Sequence, residues 1–539
     1  MEISQPCNLD PGLRRGDRWW GVYGHVRKPR DIATKSGDAL DMDLDDDACY
    51  RAFSMRDARF DGKVFGAVRT TGIYCRPVCP ARTPKRENIS FYPSAAGAQE
   101  AGFRPCLRCR PETSPDLGAW NGTSNTVSRA MSLIEQGALD EGDVEALASR
   151  LGVGERQLRR LFRQHLGASP IAVAQTRRVL LAKQLIHQTR MPMAEVALAS
   201  GFGSVRRFNE TFQHLYRKPP GALRRSEGAE TSALAGEGAT LKLPYRPPYD
   251  WEAMLAFLTL RAIPNVERVT DGVYVRTLSV GGETGVVRVA QGPGDTLLVT
   301  LWFSKVQVWP SVIAKIRRVF DLAADPDLIG SHLSEDPLLA PLVARRPGLR
   351  APGAWDGFEL AVRAVLGQQI TVVGARNIAG RLAEAYGEPV DLDAAKAHGL
   401  TRLFPTAQAL SVLDPEVLPM PRSRGRGLIA LAGLAARDQD LFGPRRSLEE
   451  ALERLVALPG IGPWTAQYIA MRALREPDAF PHGDLGLMRA LEDDQGRRPT
   501  AAELLARAEP WRPWRAYAAS HLWAHDAKSD PKIGAANAA

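Results

Sequence analysis

Cysteine is scarce and unevenly placed: the 539-residue chain has six, Cys7, Cys49, Cys75, Cys79, Cys106 and Cys109, and none after Cys109. A disulfide framework would spread its pairs through the folded sequence, so that class is excluded. Long apolar runs are missing too. No stretch reaches the ~18 residues of a membrane span, and the first twenty residues carry Asp, Glu and Arg where a secretory signal has an apolar core. The expected location is the cytoplasm. Acidic excess is also lacking: 70 Lys plus Arg face 61 Asp plus Glu, a net charge of +9, which favours a polyanionic partner. Hydrophobic residues at 44% and charged residues at 24% are ordinary, which excludes wholesale disorder and fibrous repeats. At ~100–200 residues per domain the length implies three or four domains.

Composition shifts divide the chain. Residues 1–43 mix charge, Gly and Pro without a period and run into the acidic stretch 41–47; they are expected to be a disordered extension, with Met42 as an alternative start. A compact segment rich in Cys, Arg and Pro follows over 44–113, and 114–125 reads as a linker. Residues 126–225 are helical by pattern, with Val144, Leu147, Ala148 and Leu151 at i, i+3, i+4 and i+7. They also contain a repeat: Leu158, Phe162 and Pro170 recur 50 residues later as Phe208, Phe212 and Pro220. A second linker spans 226–240. Strand-like runs at 273–280, 285–290 and 296–302, then a helix-like stretch at 313–322, make 241–350 a small α+β domain. Residues 351–528 alternate helical patterns with short Gly and Pro turns and read as all-α, and 529–539 as a disordered tail. The fold class is multidomain, mainly α with α+β parts.

Cys75-x3-Cys79, then 26 residues, then Cys106-x2-Cys109 gives two knuckles that can close a tetrahedral thiolate site, which in a cytosolic chain reads as zinc. Arg69, Arg76, Arg82, Arg104, Arg108 and Arg110 crowd around it. On spacing alone a purely structural zinc stays open. The stretches Phe-Gly-Ala-Val-Arg-Thr-Thr-Gly-Ile-Tyr-Cys75-Arg-Pro-Val-Cys79 and Ala-Gly-Phe-Arg-Pro-Cys106-Leu-Arg-Cys109 resemble the zinc domain of the Ada family of adaptive-response regulators. The resemblance implies that Cys75, besides being a ligand, accepts a methyl group from a DNA methylphosphotriester. Zinc keeps the sulfur as thiolate, and four thiolates leave a net negative centre that repels phosphate. Methylation of one sulfur removes a negative charge and should tighten DNA binding.

The two short-helix, turn, helix units resemble the AraC-type DNA-binding domain, which implies that each second helix enters a major groove. The candidate faces are Glu155, Arg156, Gln157, Arg159 and Arg160 in the first unit, and Ser204, Val205, Arg206, Arg207 and Asn209 in the second. Arg and Gln suit guanine and adenine edges, and clustered Arg suits phosphate.

Leu458-Pro-Gly460-Ile-Gly462-Pro-Trp464-Thr465-Ala466 reads as a helix-hairpin-helix element whose glycines and following helix N-terminus can hold a DNA phosphate. Asp484 stands 18 residues after Ala466. Hairpin plus following Asp resembles the helix-hairpin-helix glycosylase superfamily, and with the 365–370 and 511–523 segments the chain from about 241 to 526 is similar to the AlkA-type 3-methyladenine DNA glycosylases. The resemblance implies base flipping and an oxocarbenium-like state, with Asp484 as the carboxylate and Trp464, Tyr468 and Trp523 as pocket aromatics for a cationic base. It also implies that Gln368 and Gln369 lie on the loop filling the gap left by the flipped base; the family has Leu where this chain has Gln369. Trp464 stands where lyase relatives carry Lys, so no Schiff base forms there and the enzyme is expected to be monofunctional. With no cysteine after Cys109, the iron–sulfur cluster of some relatives and the methylguanine transferase half of the Ada family are both absent.

The expected protein senses methylated DNA phosphate, activates repair genes and itself excises 3-methyladenine and 7-methylguanine. The alternative is a transcription regulator whose glycosylase-like half only binds DNA. Expected partners are double-stranded DNA, both alkylated and promoter, and RNA polymerase. Nucleoid association follows, no membrane is involved, and no oligomer is required, since both helix-turn-helix units sit in one chain.

Overall fold

The computed structural model describes residues 45–114, 126–140, 142–224, 238–418, 420–493 and 495–529. The expected extension at 1–43, and all but the edges of the two linkers and the tail, lie outside the described residues. In the four-cysteine unit, helix α1 (Asp46–Met55) packs on a small sheet of β1 (Phe65–Val68), β2 (Ile73–Cys75), β3 (Ile89–Tyr92) and β4 (Arg104–Pro105), in the order β3-β1-β2-β4, with α2 (Ala95–Glu100) beside it. Gly66 is required there: a Cβ would sit 2.7 Å from the Phe53 ring and from Ile89. The parallel pairing of Tyr74 with Pro105 brings the second knuckle alongside Cys75.

The helical bundle comprises α3 (Thr126–Glu135), α4 (Val144–Arg150), α5 (Glu155–Leu166), α6 (Pro170–Gln188), α7 (Met193–Ala199) and α8 (Val205–Tyr216). Leu158, Phe162 and Leu166 turn one face of α5 inward, and Phe208, Phe212 and Tyr216 do the same for α8. Both Pro170 and Pro220 start helical turns and are buried. The repeat seen in the sequence is thus a repeat of the core.

In the α+β unit, β5 (Ala239–Pro244), α9 (Trp251–Arg261), β6 (Glu267–Thr270), β7 (Val273–Val280), β8 (Glu283–Gln291), β9 (Thr296–Phe303) and α10 (Trp309–Val319) form an antiparallel sheet of order β5-β9-β8-β7-β6 with two helices. The three expected strands are β7, β8 and β9, and the expected helix is α10. Two strands were not anticipated. β5 starts inside the stretch expected as linker, because Leu241 and Leu243 alternate inward and the strand pairs with β9, a contact invisible to local pattern. At four residues, β6 is too short to show a period.

From residue 326 the described chain is helical: α11 (Pro326–Leu333), α12 (Ala340–Arg345), α13 (Gly357–Leu366), α14 (Val372–Tyr386), α15 (Asp393–Lys396), α16 (Ala407–Ser411), α17 (Arg422–Arg437), α18 (Leu448–Val456), α19 (Pro463–Ile469), α20 (Leu485–Ala490), α21 (Ala501–Arg507) and α22 (Arg515–Ser529). One isolated bridge, Pro389 with Arg402, is its sole β pairing among the described residues. No described helix is long and apolar enough to cross a membrane. The units are welded together, since the second helix-turn-helix repeat and the five-stranded sheet share one apolar core running from Val179 and Phe212 to Leu241, Val299 and Trp355.

Candidate functional site

Four sulfurs meet at the edge of the small sheet. The Sγ atoms of Cys75, Cys79, Cys106 and Cys109 all lie within 4.8 Å of one another; Cys75 is half-buried and the other three are buried. Backbone N–H groups of Arg76 and Arg108 donate to Cys109 Sγ (3.4 Å) and Cys106 Sγ (3.3 Å), as knuckle turns do around thiolates. The donor set, soft and tetrahedrally close, fits a metal ion. Behind it, Arg76 is locked by Asp61 and by the Cys109 carbonyl (3.2 Å). Arg69, Arg82 and Arg108 are exposed and carry no ion pair among the described residues. The sulfur that is partly open is therefore Cys75.

On the bundle, the turns 151–154 and 200–204 set α5 and α8 as the second helices of two helix-turn-helix units. Arg156, Gln157 and Arg160 project from α5 and are exposed; Arg159 is paired with Glu155 (2.5 Å). Arg206, Arg207 and Asn209 are exposed on α8, where Arg206 reaches Glu210 (2.8 Å).

In the C-terminal unit, α18 and α19 form the hairpin. Gly460 at φ +76° makes its turn, and its backbone packs against Gly427 of α17, a close approach that glycine permits on both sides. Gly462 caps α19 without a side chain, leaving the helix N-terminus open. Thr465 is 2% exposed, so its hydroxyl is turned into the fold and not toward the surface. It accepts instead from Gln368 Nε2 (3.3 Å), which also donates to the Gly460 carbonyl (2.9 Å). Gln368, on the loop between α13 and α14, thus braces the hairpin. Gln369 is exposed at φ +59° and accepts from Arg424 (3.4 Å), with exposed Ile370, Val372 and Val373 next to it.

Asp484 is the N-cap of α20, its Oδ1 accepting from the N–H groups of Gly486 (2.9 Å) and Leu487 (3.1 Å). Two indoles converge on the same carboxylate: Trp523 Nε1 donates to Oδ1 (2.9 Å) and Trp464 Nε1 to Oδ2 (2.9 Å). Trp464 stacks on Tyr468, centroids 5.4 Å apart and rings 10° from parallel, and Trp523 meets Tyr468 edge-on at 6.3 Å and 70°. Carboxylate and three rings form one half-buried wall. Asp484 thus caps α20 and faces the aromatic wall with the same carboxylate.

Sequence reasoning missed the next layer. After α19 the chain makes a π-helical turn, Ala470–Leu474, which aims buried Arg472 back at Tyr468 Oη (2.6 Å). Arg261 and Arg472 both lie over the Phe257 ring of α9, at 3.9 and 4.6 Å. Burial alone would raise the Tyr468 phenol, but the guanidiniums of Arg472 and Arg261 bring it below its usual value. Both i, i+4 pairs, Tyr468 with Arg472 and Phe257 with Arg261, were visible as spacings.

Family models match three stretches: "Metal binding domain of Ada" at 48–112, "Helix-turn-helix domain" at 147–226 and "AlkA N-terminal domain" at 240–356. The chain is 43% identical over 485 residues to the "Probable bifunctional transcriptional activator/DNA repair enzyme AlkA" of Mycobacterium tuberculosis, covering 89% of this chain and 97% of that protein. It is 38% identical over 285 residues to the "DNA-3-methyladenine glycosylase 2" of Escherichia coli, covering 52% of this chain and 95% of that one. It is 42% identical over 129 residues to the "Bifunctional transcriptional activator/DNA repair enzyme Ada" of Escherichia coli, covering 24% of this chain and 35% of that one.

Proposed function

Because the chain belongs to the family of bifunctional AlkA-type transcriptional activator/DNA repair enzymes, we propose the following division of labour among its residues. The protein is a transcriptional activator and a DNA-3-methyladenine glycosylase in one polypeptide. The observation that carries the enzymatic reading is a single carboxylate, Asp484, fixed by two indole N–H groups that belong to the aromatic wall itself.

A flipped alkylpurine stacks against Trp464, Tyr468 and Trp523, where its positive charge meets electron-rich faces. As the N-glycosidic bond lengthens, its electron pair leaves with the base and positive charge grows on the sugar, where the Asp484 carboxylate stabilises it. Water then adds to the anomeric carbon and gives up its proton to the solvent, leaving an abasic site. The alkylated base is already a good leaving group, so no general acid is needed. Gly460, Gly462 and the α19 N-terminus hold the backbone phosphate.

In the first unit, Cys75, Cys79, Cys106 and Cys109 hold Zn²⁺, which when bound keeps the sulfurs ionised. Cys75 Sγ attacks the methyl carbon of a methylphosphotriester; the new S–C bond forms as the C–O bond breaks, and its electron pair stays on the phosphate oxygen. Arg69, Arg82 and Arg108 then face a less negative centre and bind the duplex more tightly. Arg156, Gln157, Arg160, Arg206, Arg207 and Asn209 read the promoter, RNA polymerase is the downstream partner, and the protein works at the nucleoid.

The test is incubation of the full chain with methylated duplex DNA, following released bases by chromatography and protein mass together. Free methylpurines and one added methyl group on Cys75 are expected. Bases without protein methylation would make the metal centre purely structural, and methylation without bases would leave the C-terminal half a DNA-binding module.

A further inference from the structure

α3 belongs to the activator half and precedes the stretch matched as helix-turn-helix, yet it plugs into the glycosylase half. Arg129, 7% exposed, donates from Nε (3.0 Å) and Nη2 (2.9 Å) to one oxygen of Glu476, and from Nη1 to the Arg446 carbonyl. Glu476 is 2% exposed, and among the described residues Arg129 is its sole ion-pair partner. The glycosylase half buries a carboxylate whose countercharge comes from the other half. A buried charge stripped of its partner draws in water or moves.

What Glu476 holds gives the pair its meaning. It opens the segment that ends at Asp484. Its N–H donates to the Ala470 carbonyl (3.0 Å), closing the π-helical turn that aims Arg472, and its carbonyl accepts from Ala479 (3.2 Å). Pro477 accepts from Ala516 (2.9 Å), Asp478 is gripped by Arg512 and Arg515, and Phe480 N–H donates to Gln467 of α19 (2.9 Å). Pro481 then accepts from the Asp484 N–H (2.8 Å). Each residue from Glu476 to Pro481 carries one of these bonds, so a shift at Glu476 displaces a bonded run that leads to Asp484 and to the turn behind Tyr468. A second strut lies beside the first: Arg318 of α10 bonds Ser132 of α3 and the Ala473 carbonyl (2.7 Å).

We propose that Arg129 is a positioning residue for base excision: the activator half supplies the cation that fixes the register of the Asp484 segment. The proposal rests on reading Asp484 as the catalytic carboxylate. The experiment uses the full chain and measures kcat and KM for 7-methylguanine release from methylated duplex. R129M should lower kcat about tenfold or more, with KM within about twofold, since misplacement of a reacting group acts on the chemical step. R129K, which keeps the charge, should recover most of the loss. The double variant R129M/E476Q removes the stranded charge and so guards against misfolding; it should fold, yet keep a lowered kcat because the anchor is gone. Wild-type kcat in either R129M or the double variant, or a loss confined to KM, overturns the proposal. Absence of base release from the wild-type chain would instead sink the reading of Asp484 itself.

Discussion

Asp484 takes four N–H donors, two from its own helix and two from indoles 20 and 39 residues away. D484N keeps the shape and loses the charge; base release should fall by about 10²-fold or more while promoter binding, measured by mobility shift, stays at wild-type affinity. W464F replaces the indole by a smaller aromatic ring and removes the donor to Oδ2. Asp484 is then held less firmly, and because misplacement of a reacting group can cost about 10²-fold, single-turnover excision should slow about tenfold to a hundredfold. Spacing made the four cysteines and the hairpin glycines legible. What each polar side chain faces was not legible: Gln368 and Thr465 are polar letters beside a DNA-binding turn, and the fold points them at each other. A letter states chemistry; burial decides direction.

At the scale of elements, the five-stranded sheet and the C-terminal helices meet through a buried four-charge network. Arg276 of β7 bonds Glu359 and Glu267 (3.3 Å), and Arg363 of α13 bonds the same two carboxylates (2.6 and 2.5 Å). Burial would raise Glu359, but Arg276 and Arg363 prevail and bring it down to about 2. A carboxylate depressed in the folded state stabilises fully above its unfolded value near 4.5, and that contribution is lost as pH falls toward 2. Denaturant unfolding should therefore show a loss on the order of 3 kcal/mol across that window, which E359Q should largely remove. β7, β8 and β9 could be read from alternation, and α10 from its period. β5 could not, because its evidence lies in β9, more than fifty residues downstream.

For the whole molecule, linker-like composition at 114–125 and 226–240 suggests beads on a string, and the structure shows interlocked units. Lys183 of α6, wholly buried, pairs with Glu112 of the four-cysteine unit (2.7 Å) and reaches the Cys106 carbonyl (3.4 Å). Arg246 bonds the Asp61 carbonyl and Lys63 pairs with Asp325 (2.6 Å), joining that unit to the loops after β5 and before α11. Such pairs join residues 71 to 347 positions apart, beyond any pattern read along the chain. K183M leaves buried Glu112 with Arg110 as its remaining cation and its Oε2 without a donor, and should cost about 1–3 kcal/mol in denaturant unfolding. Chelation of the metal should lower the melting of the helical bundle along with that of the small sheet, tracked by calorimetry as one shifted transition.

Three sulfurs of the cluster are enclosed and one is half open. On the proposed reading nothing in the chain takes the methyl group back from a thioether at that one position, so each chain registers a single hit, while the glycosylase half of the same chain turns over. Recorder and catalyst are made in a fixed one-to-one ratio. The pool of unmarked chains is then a gauge of damage not yet met, and every round of synthesis that refills the gauge enlarges the capacity for excision by the same amount.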